Sequence, residues 1–367
     1  MRVFHCDHCQ HLVFFENTRC VKCERALSYL PDLGAMGSLD PAGDGLWRSP
    51  LRLAAGRTYR LCGNYAEQDI CNWAIPADDP NPLCRSCRLT RVIPDLNQDG
   101  ARAAWYRLEA AKRRLIYSLM HLGLAIVSRG DDPRRGLAFE FLADPGGGDA
   151  PPVLTGHSSG VITLSIAEVD DAERERRRLQ MREPYRTVLG HFRHEIGHYY
   201  WTWLIEGGPR LESFRALFGD ERADYASALR QHHDNGPPRD WQQRHVTAYA
   251  SVHPWEDWAE TWAHYLHMTD TLEMAAACGV SLQPWLDGDP KIETAAIPGN
   301  PELASFEELM DAWLPVTYLL NNLNRGMGLP DAYPFVLSEP ALAKLRFVHD
   351  TISESARRQK LIEIATQ

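Results

Sequence analysis

Residues 185–206 read YRTVLGHFRHEIGHYYWTWLIE and run unbroken to Gly207-Gly208. Pro184, just ahead, suits the first turn of a helix, where its missing N–H costs nothing, and the glycine pair suits a helix stop. The stretch therefore predicts one long helix. On it His194, Glu195 and His198 spell HEIGH, two imidazoles one turn apart on a single face with a carboxylate beside them. Imidazoles so placed can hold Zn²⁺ at about 2.0–2.1 Å, a bound metal lowers the pKa of its water to near 7, and Glu195 can take the proton. The same five letters also arise on a helix that merely packs two histidines or shows them to solvent. A third ligand separates the two cases, because catalytic zinc takes three protein ligands and keeps one open position.

That ligand is not on the same helix. The metzincin continuation needs Gly at 201 and His at 204, and the chain has Trp201 and Leu204. The best source is residues 248–268, AYASVHPWEDWAETWAHYLHM, where Pro254 opens a second helix. At about 100° per residue, Glu256, Glu260, His264 and His267 share one face within about 80°, and Trp255, Trp258, Trp262 and Leu266 take the far side. One face packs and the other carries polar groups. Glu256 leads as ligand, followed by Glu260, with His264 and Asp224 as further candidates. His191, one turn before His194, reads as packed, and Arg193 carries no assignment.

The rest of the chain frames these two helices. Residues 101–122 repeat apolar positions every three to four residues and predict a helix; LAFEFLAD (137–144) and VITLSI (161–166) read as strands. PGGGDAPP (145–152) and GHSSG (156–160) read as turns, and the triple glycine lacks the lysine-serine signature of a phosphate loop. Residues 168–186 are dense in both charges and read as a solvated helix or loop. Further helical patterns lie around 211–233, 254–277, 303–323 and 339–358, so the larger unit is mostly helical with a small sheet.

Eight of nine cysteines precede residue 90. Cys6-x2-Cys9 and Cys20-x2-Cys23 form two knuckles ten residues apart, a set of four thiolates suited to closed, tetrahedral structural zinc with Zn–S of about 2.3 Å. Cys62, Cys71, Cys84 and Cys87 form a second, less regular set for a second structural zinc. Exchange of ligands between the sets, entry of His5, His8 or His11, and redox-active thiols at the Cys84 pair are the competing readings. Residues 30–45, LPDLGAMGSLDPAGDG, read as a loop or linker between two small units. Cys278 reads as a small buried apolar residue. The division is residues 1–97, a zinc-ribbon region, and 98–367, the larger domain.

Composition narrows the function. The net charge is -10, so the field repels polyanions and nucleic acid is a poor partner. No run of about 18 apolar residues is present, and the cysteines of MRVFHCDHCQ sit where an export signal has its apolar core. A cytoplasmic protein without a membrane span is expected, with thiols that bind metal rather than pair.

HFRHEIGHYYW followed by YASVHPWEDWAETWAHYL resembles the gluzincin metallopeptidases. The resemblance implies Glu256 as third zinc ligand, Glu260 as the carboxylate that orients a ligand histidine, and Tyr249, seven residues before Glu256, as the oxyanion-stabilising tyrosine of lethal-factor-like members; a core tyrosine is the plainer reading of Tyr249. It also implies that VITLSI corresponds to the edge strand that pairs with substrate backbone. The 57 residues between His198 and Glu256 exceed the thermolysin-like spacing. The N-terminal knuckles, REPYRTVLGHFRHEIGHYYW (182–201) and LNRGMGLPDAYPFVLSEPALAKLRFVH (323–349) together resemble bacterial proteins that join a zinc-ribbon domain to a zinc-binding metallopeptidase, over nearly the whole chain. The implied fold is α+β: a zincin-like, mostly helical metallopeptidase domain with a small sheet, preceded by four-cysteine zinc-ribbon modules. The implied activity is hydrolysis of peptide bonds, with one catalytic and one or two structural zinc ions. The alternative is a recognition protein that engages a partner through its zinc-ribbon region and keeps a metallopeptidase-like domain without turnover.

Overall fold

Two short paired strands, β1 (Phe4–His5) and β2 (Leu12–Val13), open the cysteine-rich region. An antiparallel sheet follows in the order β3 (Ala26–Leu30), β4 (Ala35–Gly43), β5 (Leu46–Arg48), β6 (Tyr59–Leu61) and β7 (Ala74–Pro76), with the one-turn helix α1 (Gly63–Ala66) between the last two. The molecule is seen in a computed structural model that describes residues 2–144, 153, 155–181, 186–282, 298 and 304–365.

Residues 30–45, expected as a linker, are part of this sheet. Asp44 and Gly45 have φ of 51° and 72°. Such a pair makes the two-residue turn whose twist matches its flanking strands, and Gly43 duly pairs with Leu46 across it. The turn residues that suggested a boundary instead mark hairpins, and Met36 and Leu39 between them are buried. An isolated bridge from Tyr29 to Trp73 brings the first and last strands together. Both cysteine sets thus belong to one unit.

That unit shares its core with the rest of the chain. Tyr117, on α2 (Ala101–His121), meets Phe15 and Tyr29 of the ribbon at ring distances of 5.4 and 5.9 Å. Its hydroxyl crosses to Glu273 at 2.8 Å. A second, four-stranded sheet has the order β10-β11-β9-β8, formed by β8 (Thr90–Val92), β9 (Ala138–Leu142), β10 (Gly156–Ser158) and β11 (Val161–Ser165). β8, from within residues 1–97, pairs parallel with β9, and β11 also runs parallel to β9; β10 alone is antiparallel.

This order corrects two strand expectations. β11 is interior, so VITLSI is not the edge. GHSSG is not only a turn: Gly156–Ser158 is an edge strand, and Ser159 and Gly160, at φ 49° and 86°, turn it back onto Val161. The triple glycine and Pro184 lie outside the described residues.

α3 (Asp171–Met181) carries the charged run, and α4 (Val188–Leu204) carries HEIGH. Thr187 caps α4 through its side chain, which accepts from the Gly190 N–H at 2.9 Å. The pattern at 211–233 resolves into α5 (Leu211–Phe218) and α6 (Tyr225–Asn235), because Gly219 adopts φ 103° and ends α5. α7 (Pro254–Ala277) packs along α4, with α8 (Phe306–Gly326) and α9 (Glu339–Ala365) behind it. Gly197 permits the close approach of α4 and α7: a Cβ there would stand 3.0 Å from Ala259 Cα and 3.2 Å from Trp262 Cβ. Trp258 and Trp262 are fully buried at this contact, worth roughly 1.5–3 kcal/mol each. Cys278, expected to be buried, is exposed, because it caps α7 just past the last turn that reaches the core. Among the described residues, no helix is long and apolar enough to cross a membrane.

Candidate metal centre

The contact of α4 and α7 brings three side chains to one point. Glu256 Oε2 lies 3.0 Å from His194 Nε2 and 3.6 Å from His198 Nε2, and the two imidazole nitrogens are 3.2 Å apart. One ligand atom from each residue falls within 4.8 Å of the others. Glu256 is 2% exposed, and its Oε2 is buried with no hydrogen-bond donor. An acceptor left like this costs about 1–3 kcal/mol unless a cation meets it, so the donor set of two imidazoles and a carboxylate fits a divalent ion.

The surrounding groups hold those ligands in place. His194 Nδ1 meets Glu260 Oε1 at 2.6 Å, and Glu260 Oε2 accepts from the Thr247 hydroxyl at 2.7 Å. The Glu260 contact leaves Nε2 of His194 as the free lone pair. Glu256 Oε1 accepts from the Tyr225 hydroxyl at 2.8 Å. Burial works against charge on His194, but the carboxylates of Glu256 and Glu260 facing its two ring nitrogens outweigh it and raise its pKa well above the ordinary value. Burial also works against ionised Glu256, yet the neighbouring His198 and His194 hold its pKa well below the usual carboxylate range. A point that draws a proton this firmly offers the same negative potential to a metal ion.

Glu195 is 8% exposed and lines, with His194 and Tyr249, a cleft of about 890 Å³. Gly190, His232, Trp241 and Phe335 also line it. The Tyr249 ring stands 6.0 Å from that of His194. Burial first, then the charge of Glu256, push the Tyr225 and Tyr249 phenols above their usual pKa, so both remain protonated donors.

The other candidates lie elsewhere. His264 Nε2 is hydrogen-bonded to the Tyr333 hydroxyl, and Asp224 caps α6 by accepting from Ser227 N at 3.1 Å. His191 Nδ1 meets buried Glu168 at 3.2 Å, and Arg193 pairs with Asp270 at 2.5 Å. Trp255, assigned to the packing face, instead lies 4.3 Å from the His198 ring, on the metal side. An ideal helical wheel places residues around an axis but not against the partner helix, which crosses the first turn of α7 at that point.

Sequence reasoning missed Tyr225, Thr247 and His157. His157, on edge strand β10, stacks at 6.2 Å from His198, and burial together with the charge of His198 lowers its pKa to about 4. Asp224 gave a usable signal for a helix start beside Tyr225; Thr247 and His157 had none.

The cysteines gather in the two expected sets, each with its sulfurs within 4.8 Å. Cys6 and Cys23 stand 3.7 Å apart and Cys9 and Cys20 3.6 Å, with Gln10 and Glu24 both at φ 59° closing matched knuckles. Cys62, Cys71, Cys84 and Cys87 are all buried, and Cys71 lies 3.7 Å from Cys84. Backbone N–H groups of Cys84 and Cys87 donate to sulfurs of Cys62 and Cys84 at 3.3 and 3.4 Å. No ligand is exchanged between the sets, and His5, His8 and His11 belong to neither. Arg113 of α2 is buried beside the second set; burial opposes its charge, but Cys71, then Glu109 and the thiols of Cys87 and Cys84, raise its pKa.

Comparison with known proteins follows the same division. The family model described as "Putative zinc-binding metallo-peptidase" matches residues 101–351, and one described as "zinc-ribbon domain" matches residues 3–98. Proteins of Mycobacterium bovis and Mycobacterium tuberculosis, each described only as uncharacterized, are 44% identical over 357 residues, covering 97% of this chain and 96% of theirs. No solved structure matches.

Proposed function

The chain belongs to the zinc-binding metallopeptidase family, and from that footing we infer that it is a gluzincin-like zinc peptidase in which His194, His198 and Glu256 hold the catalytic zinc. The observation that carries this reading is the donor-free Glu256 Oε2 facing two imidazole Nε2 atoms at 3.0 and 3.6 Å. Bound zinc would supply a Lewis acid there, lowering the pKa of a water to near 7 and polarising the scissile carbonyl.

The protein's own groups do the rest. Glu195, on the same turn of α4 and facing the cleft, takes the proton of the attacking water and returns it to the leaving amine. Tyr249, a protonated donor lining the same cleft, offers its hydroxyl to the oxyanion. Glu260 and Thr247 keep His194 in the tautomer that leaves Nε2 free. Among the described residues β10, next to His198, lies at an edge of its sheet, where an extended peptide could add as a further strand.

One observation favours a second reading, recognition of a protein partner by the ribbon without turnover. Leu12, Phe14 and Val21 stand 61%, 78% and 76% exposed around the first cysteine set.

The test is hydrolysis of a peptide library by zinc-loaded wild type and by Glu195→Gln. The expected result is cleavage by wild type that falls by about 10²–10⁴-fold in the variant at unchanged zinc content. Equal cleavage by both removes Glu195 as base, and no cleavage by either turns the case to the second reading.

A further inference from the structure

Glu256 has two oxygens with different work. Oε2 faces the imidazoles, and Oε1 accepts from Tyr225 at 2.8 Å. A carboxylate with one oxygen tied by a phenol can turn only the other to an ion, so the Tyr225 hydroxyl sets both the rotamer and the coordination mode of the ligand.

Tyr225 is also the first residue of α6, and α6 has no buried residue. Its attachments gather at the metal end of the cleft. The Tyr225 ring lies 5.4 Å from that of His253 and 6.4 Å from that of Trp255. The His232 ring meets that of Tyr249 at 6.1 Å. His253 itself accepts from Trp255 N through Nδ1 and donates through Nε2 to the Ala223 carbonyl, both at 3.1 Å. The first turn of α7 thus carries the metal ligand and pins the chain entering α6. Farther along, His232, His233 and Asn235 wall the cleft.

Resting on the reading of this site as a zinc centre, we propose that Tyr225 is a positioning residue for Glu256 and that its hydrogen bond couples metal occupancy to the docking of α6 over the cleft. A bound ion holds Glu256 where Tyr225 can reach it, and a docked α6 holds Glu256 where the ion needs it. The two stabilise each other by the same free energy.

The experiment compares full-length wild type with Tyr225→Phe, which keeps the ring against His253 and Trp255 and deletes only the hydroxyl. Zinc affinity is measured by chelator competition, and amide exchange of residues 225–235 is followed with and without added zinc. In the variant the most weakly held zinc is expected to bind about 10–100-fold less tightly, with both cysteine sites unchanged. Zinc is expected to slow exchange in α6 of the wild type and to lose that effect in the variant. Wild-type zinc affinity in Tyr225→Phe overturns the positioning role, and α6 exchange indifferent to zinc in the wild type overturns the coupling. A wild type that takes up only the two cysteine-bound ions overturns the proposed zinc site and this inference with it.

Discussion

The indole N–H of Trp258 donates to the main-chain carbonyl of Gly197 at 2.8 Å, inside the contact between the two helices that carry His194, His198 and Glu256. The carbonyl can be reached because Gly197 has no side chain. Gly197 is the residue before His198, and Trp258 lies two after Glu256, so this bond ties the two helices together next to both candidate ligands. The fourth letter of HEIGH is thus as much a packing requirement as the histidines are a chemical one.

Gly197→Ala should lower stability. In an exposed helix this exchange gains about 1 kcal/mol in propensity. Here the added methyl meets Ala259 Cα at 3.0 Å and Trp262 Cβ at 3.2 Å, backbone and a rigid stem that cannot swing aside. Overpacking of this kind costs about 1–3 kcal/mol and is expected to win. Thermal unfolding of zinc-loaded protein reads the outcome, and a Tm equal to or above wild type would show that the helices have room to spare.

The two cysteine sets should differ in what their loss does. Cys62, Cys71, Cys84 and Cys87 are all buried, whereas Cys9 and Cys23 are half-buried at the rim of the first set. A structural zinc site is worth roughly 10–16 kcal/mol in small zinc domains, comparable with the whole stability of a typical fold. Cys84→Ser is therefore expected to unfold the ribbon and expose the face of α2 beneath it, while Cys9→Ser loosens the first knuckles and leaves α2 covered. Amide exchange in residues 101–121 distinguishes them; similar protection in both variants would contradict the ranking.

The start of α4 is tied to Glu168, which is 1% exposed and pairs with Arg177 at 2.7 Å, Arg186 at 3.0 Å and His191 at 3.2 Å. Burial alone would raise its pKa, but His191 and then the arginines bring it down from 4.5 to about 2. Between those values the unfolded chain binds a proton that the folded chain refuses. The stabilisation, about 3 kcal/mol, is therefore full above about pH 4.5 and is lost as pH falls toward 2. Glu168→Gln is expected to be less stable than wild type near pH 6 and to converge on it as the pH falls through this range. Denaturant titrations at several pH values measure the gap, and a gap that stays constant from pH 6 to 3 would rule out this linkage.

How much of this could be read in advance depended on distance along the chain. The knuckles Cys6-x2-Cys9 and Cys20-x2-Cys23 needed only a turn of backbone to converge, and they do. Residues 30–45 misled because Gly, Pro and Asp serve linkers and hairpins alike; only the pairing partners Ala26–Leu30 and Leu46–Arg48 distinguish the two. Similarly, VITLSI looked like any other strand, and its place inside the sheet became visible only when Gly156–Ser158 paired along its outer side.

The sequence by itself determined that His194 and His198 share a face and that Glu195 stands beside them, because helical periodicity is a local property of consecutive residues. It also marked α7 as a second helix rich in carboxylates and imidazoles. Only the tertiary structure decided which of these groups the two imidazoles meet, that Trp255 lies on the metal side, and that Tyr225 and Thr247 hold the carboxylates. Those choices depend on how closely α4 and α7 approach and where α6 comes to rest. Such distances are set by packing among residues far apart in the chain, and no spacing rule along it encodes them.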